Sequence, residues 1–150
     1  MKFRDYLLLN KDKVIDIYFD MDGVFAEYDI GNFDYSTIRP IKSTIKLMEE
    51  LKNNGINIKV LSICKNNNIK NEKYDWINKY IPFLNKEDLI FLSKEENQGI
   101  ESKDLKSNYL RDNSNKENIN ILIDDDIVII KKVSIDNKDI KVFHISSIIE

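Results

Sequence analysis

The stretch VIDIYFDMDGVFAEYD, residues 14–29, joins an apolar segment to a group of carboxylates. Val14–Phe19 is rich in β-branched and aromatic residues, which is typical of a strand that is covered on both faces in a parallel sheet. Asp20, Asp22 and Gly23 follow directly. Ligands bind at the carboxyl ends of the strands in open parallel sheets, so this placement indicates a functional site. Asp and Gly are also ordinary turn residues, and the interpretation therefore depends on the rest of the chain.

Four more apolar runs follow, and segments with helical periodicity separate most of them. The predicted strands after Val14–Phe19 are Ile56–Ile63, Leu89–Leu92, Ile119–Ile123 and Ile140–Ile145. The predicted helices are Pro40–Asn54, Asn71–Tyr80 and Ser102–Asn113. Strands that alternate with helices of this length predict βαβ units. The expected fold is therefore α/β, a Rossmann-like three-layer sandwich with a mostly parallel five-stranded sheet.

Local signals refine this picture at the ends of the elements. Pro40 suits the first turn of its helix, and Gly55 suits the position just beyond the end of that helix. Asn66–Asn68 is interpreted as a solvated loop. The segment Phe25–Ile38 has no clear period and is interpreted as a flap or small hairpin. We therefore predict one domain over residues 1–150, with a flap or minimal cap over about residues 24–38.

Composition narrows the class of protein. With 150 residues, 42% hydrophobic and 33% charged, the chain is expected to be one soluble globular domain. A net charge of −3 creates no field that would attract nucleic acid or an anionic membrane. Cys64 is the single cysteine and cannot form an internal disulfide. No signal peptide and no apolar run of about 18 residues is evident, so a cytoplasmic location and no membrane partner are expected.

Several predicted strands end in polar groups that could meet in one crevice. These groups are Asp20 with Asp22, Ser62, and the run Asp124–Asp126. Two carboxylates at 4 Å repel each other by about 4 kcal/mol at an effective dielectric near 20, so such a cluster needs a cation or protons. A small set of oxygen ligands completed by water favours Mg²⁺. The sequence thus predicts a magnesium site.

The same residues carry a resemblance to a known family. Asp20-Met21-Asp22-Gly23-Val24 resembles the first motif of the haloacid dehalogenase superfamily of phosphatases. Ser62 is similar to the second motif, a Ser or Thr that closes the next strand. The segment ILIDDD, residues 121–126, resembles the fourth motif in the Asp-Asp form of 5′(3′)-deoxyribonucleotidases and related bacterial and phage proteins. The third motif is an upstream lysine, for which Lys106 is preferred, then Lys103, then Lys94 or Lys116.

The resemblance implies a role for each of these residues. Asp20 would attack phosphorus to give an aspartyl-phosphate, and Asp22 would protonate the leaving alcohol and then deprotonate the hydrolytic water. Ser62 would donate to a phosphate oxygen, and Lys106 would neutralise Asp20 and the phosphoryl group. The implied Mg²⁺ ligands are Asp20, the backbone carbonyl of Asp22, and the pair Asp124–Asp125, with Asp125 preferred as the direct ligand. Gly23 would allow the tight turn.

The resemblance also sets the expected function and its alternatives. A phosphomonoester hydrolase with a 5′-nucleotidase-like substrate, hence a small phosphorylated partner, is the first expectation. A sugar phosphate, a polynucleotide end or a phosphoprotein are alternative substrates, although the acidic net charge argues against nucleic acid. A regulatory protein that binds metal or phosphate without catalysis is the alternative from another class. The short flap is similar to that of family members with little or no cap, and this resemblance implies either larger, more exposed substrates or a homo-oligomer in which a second subunit covers the site.

Several remaining residues are interpreted as structural. Cys64 and Trp76 are expected in the core, His144 in a structural role, and Asp126 as a helix cap or surface acid. The flap aromatics are left open between lining a substrate pocket and packing the flap, and they are Phe25, Tyr28, Phe33 and Tyr35.

Overall fold

A computed structural model describes residues 1–149 of the chain. Five parallel strands form one sheet, and five α-helices accompany them in the described residues. The strands are β1 (Ile15–Phe19), β2 (Asn57–Cys64), β3 (Leu89–Ser93), β4 (Ile119–Asp124) and β5 (Ile140–His144). The helices are α1 (Phe3–Leu9), α2 (Lys42–Asn53), α3 (Asn67–Tyr80), α4 (Ser102–Asn113) and α5 (Ile127–Asp136). The predicted α/β class and all five strands are confirmed, each strand to within one residue at either end.

The sheet is buried on both faces, which explains the apolar runs. Ile17 and Phe19 of β1 face one core together with Met48 of α2 and Ile77 of α3. Tyr18 faces the other core, which helices α4 and α5 cover with residues such as Leu110, Ile129 and Val133. The molecule is therefore a three-layer sandwich, as predicted.

The strand order places β1 at the centre of the sheet. The order is β3-β2-β1-β4-β5, so the chain moves outward from β1 on one side and returns to the other side at β4. In open α/β sheets the crevice at such a reversal is where ligands bind. The register pairs Phe19 with Ile123, and the next residue along the chain is Asp20 after β1 and Asp124 at the end of β4. The topology alone thus brings the first and fourth motifs together.

Two helix starts differ from the predictions. Helix α2 begins at Lys42, because Pro40 instead pairs with Ala26 in an isolated bridge and Ile41 precedes the helix in an extended conformation. Helix α3 begins at Asn67 because the side chain of Asn66 accepts a hydrogen bond from the amide of Ile69. The interpretation of residues 66–68 as a loop was therefore wrong, since they form the cap and first turn of α3.

Two helices were not predicted. Helix α1 is short, and its buried Phe3 packs edge-on against Phe143 of β5 with ring centroids 5.4 Å apart. Helix α5 opens with the residues IVII, a β-branched run that obscures a helical period. The side chain of Asp126 caps α5 by accepting from the amides of Val128 and Ile129. The expectation that Asp126 is a helix cap is confirmed.

The flap contains no α-helix or strand over residues 24–38. Its base is tied by hydrogen bonds from the amide of Glu27 to the carbonyl of Arg39 and from the amide of Ile41 to the carbonyl of Phe25. The flap aromatics divide into two groups: Phe25 and Tyr35 are buried, whereas Tyr28 and Phe33 are exposed. Across residues 1–149, none of the helices has the length and apolar character that a membrane span requires.

Candidate active site

Three carboxylates meet at the carboxyl ends of β1 and β4. Asp20 follows β1, Asp124 ends β4 and Asp125 comes next, and each offers an oxygen within 4.8 Å of the others. Asp124 is fully buried, Asp20 is 9% exposed and Asp125 is half-buried. Residues from distant parts of the chain therefore form the acidic cluster expected from the sequence.

Lys106 is the cation that this cluster contains. It lies on α4, is 1% exposed, and its Nζ donates to Asp20 Oδ1 at 2.8 Å and to Asp124 Oδ2 at 2.6 Å. The backbone amide of Asp126 donates to Asp124 Oδ1 at 3.0 Å, so both oxygens of Asp124 already have partners. One ammonium faces three carboxylates, and a divalent cation would balance the remaining two negative charges.

Burial and mutual repulsion act on the acids of the cluster. The pKa of Asp20 is raised to about 7, and burial of the carboxyl group is the largest cause. The positive charge of Lys106 lowers this pKa, whereas the negative charge of Asp124 raises it further. Burial, followed by the charge of Asp124, also raises the pKa of Asp125. Burial alone would lower the pKa of Lys106, but Asp20 and Asp124 outweigh it and raise that pKa. The ionised cluster is thus costly without another cation.

Gly23 permits the close approach of the turn after β1 to Asp125. Its φ is +82°, and a Cβ built on it would lie 2.1 Å from Asp125 Oδ2 and 2.8 Å from Asp125 Cγ. A side chain at position 23 would therefore be strained in its backbone and would also push Asp125 out of the cluster.

We expect Gly23→Ala to lower both the stability of the protein and its affinity for a divalent cation. Gly55→Ala is the matched control, because Gly55 has φ +87° but no heavy atom within 4 Å of its would-be Cβ. Both variants should lose about 1–2 kcal/mol of unfolding free energy from left-handed strain. Only Gly23→Ala should also weaken cation binding, by about tenfold or more, since it displaces Asp125. Urea unfolding measures the stability, and calorimetric Mg²⁺ titration measures the cation affinity. Equal cation affinity in both variants would contradict the assignment of Asp125 as a cation ligand.

A second group of polar side chains lies beside the cluster and centres on Lys73 of α3. Its Nζ donates to Asp22 Oδ2 at 2.8 Å, to Ser62 Oγ at 2.8 Å and to the carbonyl of Ile63 at 3.1 Å. Lys73 and Ser62 are each 1% exposed, whereas the side chain of Asp22 is 28% exposed. Tyr35 of the flap donates its hydroxyl to Asp22 Oδ1 at 2.8 Å. The predicted site residues Asp22 and Ser62 are therefore joined through a lysine.

Lys73 is a residue that the sequence analysis missed. It precedes Trp76 by three positions, Ile77 by four and Tyr80 by seven, so it falls on the apolar face of α3. A lysine on the buried face of a predicted helix is a signal that could have revealed it, because a buried ammonium needs anionic or carbonyl partners.

The other residues considered from sequence lie elsewhere. Lys103 is half exposed and pairs with Glu101 at 3.4 Å. Lys94 donates to the carbonyl of Ile100, and Lys116 donates to Ser114. Ring nitrogens of His144 contact Ser146 Oγ at 2.7 Å and the carbonyl of Asp125 at 3.1 Å, which fits a structural role behind the cluster. Cys64 and Trp76 are buried, as expected.

Comparison with solved structures identifies the fold. A chain of the Pnkp1/Rnl/Hen1 RNA repair complex matches with a TM-score of 0.65 at 14% identity, over 89% of this chain and 42% of that one. The N-terminal part of BF1531 from Bacteroides fragilis, containing a phosphatase domain complexed with Mg, matches with a TM-score of 0.60 at 17% identity, over 92% and 38%. A HAD family enzyme, BT-2542 from Bacteroides thetaiotaomicron, gives 0.57 at 14% identity, over 88% and 93%.

These likenesses show the class of fold. The chain has the α/β fold of haloacid dehalogenase-like proteins, and phosphatases are among its structural neighbours. It spans less than half the length of the RNA repair chain and of the BF1531 fragment. No family model matches the sequence, and no curated protein matches it.

Proposed function

We propose that this protein is a Mg²⁺-dependent phosphomonoester hydrolase that works through an aspartyl-phosphate on Asp20. The observation that carries the proposal is that two groups of polar side chains contact the chain two residues apart, one at Asp20 and the other at Asp22. On one side Asp20 meets Asp124, Asp125 and Lys106, and two residues along the chain Asp22 joins Lys73 and Ser62. The side chains to which we assign the roles of nucleophile, acid–base group and phosphate donors are thus close together.

The donor set fits Mg²⁺. Asp20 and Asp125 would hold the ion directly together with the backbone carbonyl of Asp22. Asp124 would support them, because Lys106 and the amide of Asp126 already use its two oxygens. When bound, Mg²⁺ supplies positive charge that offsets repulsion between the acidic site and an anionic phosphate ester.

In the first step, a carboxylate oxygen of Asp20 forms a bond to phosphorus while the bond from phosphorus to the leaving oxygen breaks. The leaving oxygen keeps the electron pair of that bond and takes a proton from Asp22. The positive charges of Lys73 and Lys106, together with the hydroxyl of Ser62, would stabilise the phosphoryl oxygens.

In the second step, water attacks the phosphorus of the aspartyl-phosphate. Asp22, now ionised, takes a proton from that water, and the carboxylate of Asp20 leaves with the electron pair of its bond to phosphorus. Inorganic phosphate is released, and both aspartates return to their starting states.

A nucleoside monophosphate is the substrate class we propose first. The flap exposes the rings of Tyr28 and Phe33, and the Nζ of Lys65, the residue after β2, lies 5.2 Å from the centroid of the Phe33 ring. Exposed aromatic rings can stack on a base, and Lys65 adds positive charge close to the end of β2. A polynucleotide end is the second candidate, supported by the likeness to a chain of an RNA repair complex.

We expect Mg²⁺-dependent release of inorganic phosphate from para-nitrophenyl phosphate. A panel of nucleoside 5′- and 3′-monophosphates, sugar phosphates, a 3′-phosphorylated oligonucleotide and a phosphopeptide then ranks the substrates by kcat/KM. Removal of metal with EDTA should abolish turnover, and excess Mg²⁺ should restore it, because the cluster would otherwise repel the ester.

Two results would contradict the proposal. Undiminished turnover in EDTA would exclude the metal-dependent mechanism. Tight Mg²⁺ binding without phosphate release from any ester of the panel would favour a regulatory protein that binds metal without catalysis.

A further inference from the structure

Tyr35 lies in the flap, outside the four sequence motifs, but it contacts Asp22, the proposed acid–base residue. Its hydroxyl donates to Asp22 Oδ1 at 2.8 Å, and the opposite oxygen, Oδ2, accepts from Lys73 at the same distance. Tyr35 is 6% exposed, and the Nζ of Lys73 lies 5.7 Å from the centroid of its ring. The carboxyl group of Asp22 is therefore held from both sides.

The two partners of Asp22 differ in what they can do. An ammonium donates with a positive charge that favours the ionised carboxyl group, whereas a neutral tyrosine hydroxyl can donate to a carboxyl oxygen in either protonation state, which leaves the acid proton free for the leaving oxygen. Tyr35 can thus hold Asp22 in one orientation both before and after proton transfer. Each carboxylate oxygen also has two acceptor positions, so these contacts leave room for the leaving oxygen and for water.

The local structure of the flap holds Tyr35 in place. The amide and hydroxyl of Ser36 donate to Asp34 Oδ1 at 3.1 and 2.6 Å, and the amide of Thr37 donates to the carbonyl of Asp34 at 3.0 Å. Tyr35 sits inside this turn with its side chain buried. Because Tyr35 is held by this turn, its hydroxyl can fix the orientation of the Asp22 carboxyl group.

We infer that Tyr35 is a positioning residue for the acid–base step, and that its hydroxyl orients Asp22 toward the leaving oxygen. The inference rests on the proposed function. Tyr35 forms no bond to substrate in this assignment and acts only through Asp22, which gives its proton to the leaving oxygen as the bond to phosphorus breaks.

Leaving groups of different basicity separate this role from a structural one. A nitrophenolate departs readily without a proton, whereas an alkoxide requires one. If Asp22 loses its orientation, hydrolysis of alkyl phosphates should therefore slow much more than hydrolysis of aryl phosphates. A general loosening of the flap would slow both classes by the same factor.

The experiment compares Tyr35→Phe with Tyr80→Phe. Tyr80 lines the same surface groove as Tyr35, and its ring packs on Trp76 with centroids 4.7 Å apart, so its variant also removes one hydroxyl near the flap. We would measure kcat/KM, which reports steps up to release of the alcohol, for para-nitrophenyl, phenyl and alkyl phosphates. Melting temperature and Mg²⁺ affinity would be measured for each variant.

For Tyr35→Phe we expect kcat/KM to fall more as the leaving group becomes more basic. The decrease should be about threefold or less for para-nitrophenyl phosphate and about tenfold or more for an alkyl phosphate. Tyr80→Phe should show no such trend. An equal loss on all esters, or no loss, would overturn the inference while leaving the proposed function standing. Absence of turnover by the wild-type protein would instead overturn the proposed function, and the inference with it.

Discussion

Asp20→Asn should abolish phosphate release while leaving the fold intact. The amide has the shape of the carboxylate but is a poor nucleophile, so we expect kcat to fall by at least about 10⁴-fold. Stability should be unchanged or higher, because burial and Asp124 already raise the pKa of Asp20 to about 7 and so disfavour its charge. Lys106 would keep Asp124 as its partner. Phosphate release and thermal unfolding, measured on the same preparation, test both parts.

Asp126→Asn is the matched control for this substitution. Asp126 is the next acid after the cluster, is exposed, and caps α5 through its side chain. Asparagine caps helices about as well as aspartate, so this variant should keep both activity and stability. If Asp20→Asn were as active as Asp126→Asn, Asp20 could not be the nucleophile.

Lys106→Met is the substitution that we expect to cost the most stability. Methionine fills a similar volume but leaves Asp20 and Asp124 buried without their shared cation. Breaking a buried ion pair from one side costs about 3–5 kcal/mol, and turnover should be lost as well. Urea unfolding at neutral pH measures the effect, and added Mg²⁺ should recover part of the stability because it replaces the missing charge.

The chain supplies two comparisons for Lys106→Met. Lys103→Met changes a half-exposed lysine on the same helix and should cost about 1 kcal/mol or less. The double variant Lys106→Met/Asp124→Asn removes one of the stranded charges and should fold even if the single variant does not. Equal stability of Lys106→Met and Lys103→Met would show that the buried contacts of Lys106 contribute little.

The strands were predictable because the sheet is covered on both faces, so that most residues of each strand are buried or partly buried. A strand such as β4 has no polar alternation that could confuse its period, and its end is marked by the change to three aspartates. The register that joins Asp20 to Asp124 also follows from parallel pairing of two adjacent strands. This part of the candidate site could be anticipated from local patterns together with the topology of the fold.

The sequence could not show which lysine of α4, Lys103 or Lys106, contacts the carboxylates. Lys103 and Lys106 lie three residues apart on α4, so their positions on the helix surface are neighbours. Only the rotation of α4 against the sheet, set by buried Leu105 and Leu110, turns Lys106 inward. Lys73 could have been noticed from its place on the apolar face of α3, but nothing in the sequence indicated that Asp22, 51 residues earlier, is its partner.

The closed base of the flap has a consequence for how this protein could be remodelled. Residues 27–39 leave and rejoin the body at neighbouring points, because Ala26 bridges Pro40 and Glu27 pairs with Arg39. Doubling the length of such a closed loop adds only about 0.6 kcal/mol of entropic cost. The tip around Ile30 and Gly31, which is exposed, is thus a permissive place to splice in a larger lid. An insertion at this tip should leave the sheet and the cluster of Asp20, Asp124 and Asp125 unchanged, so that substrate selectivity could be altered separately from the catalytic residues.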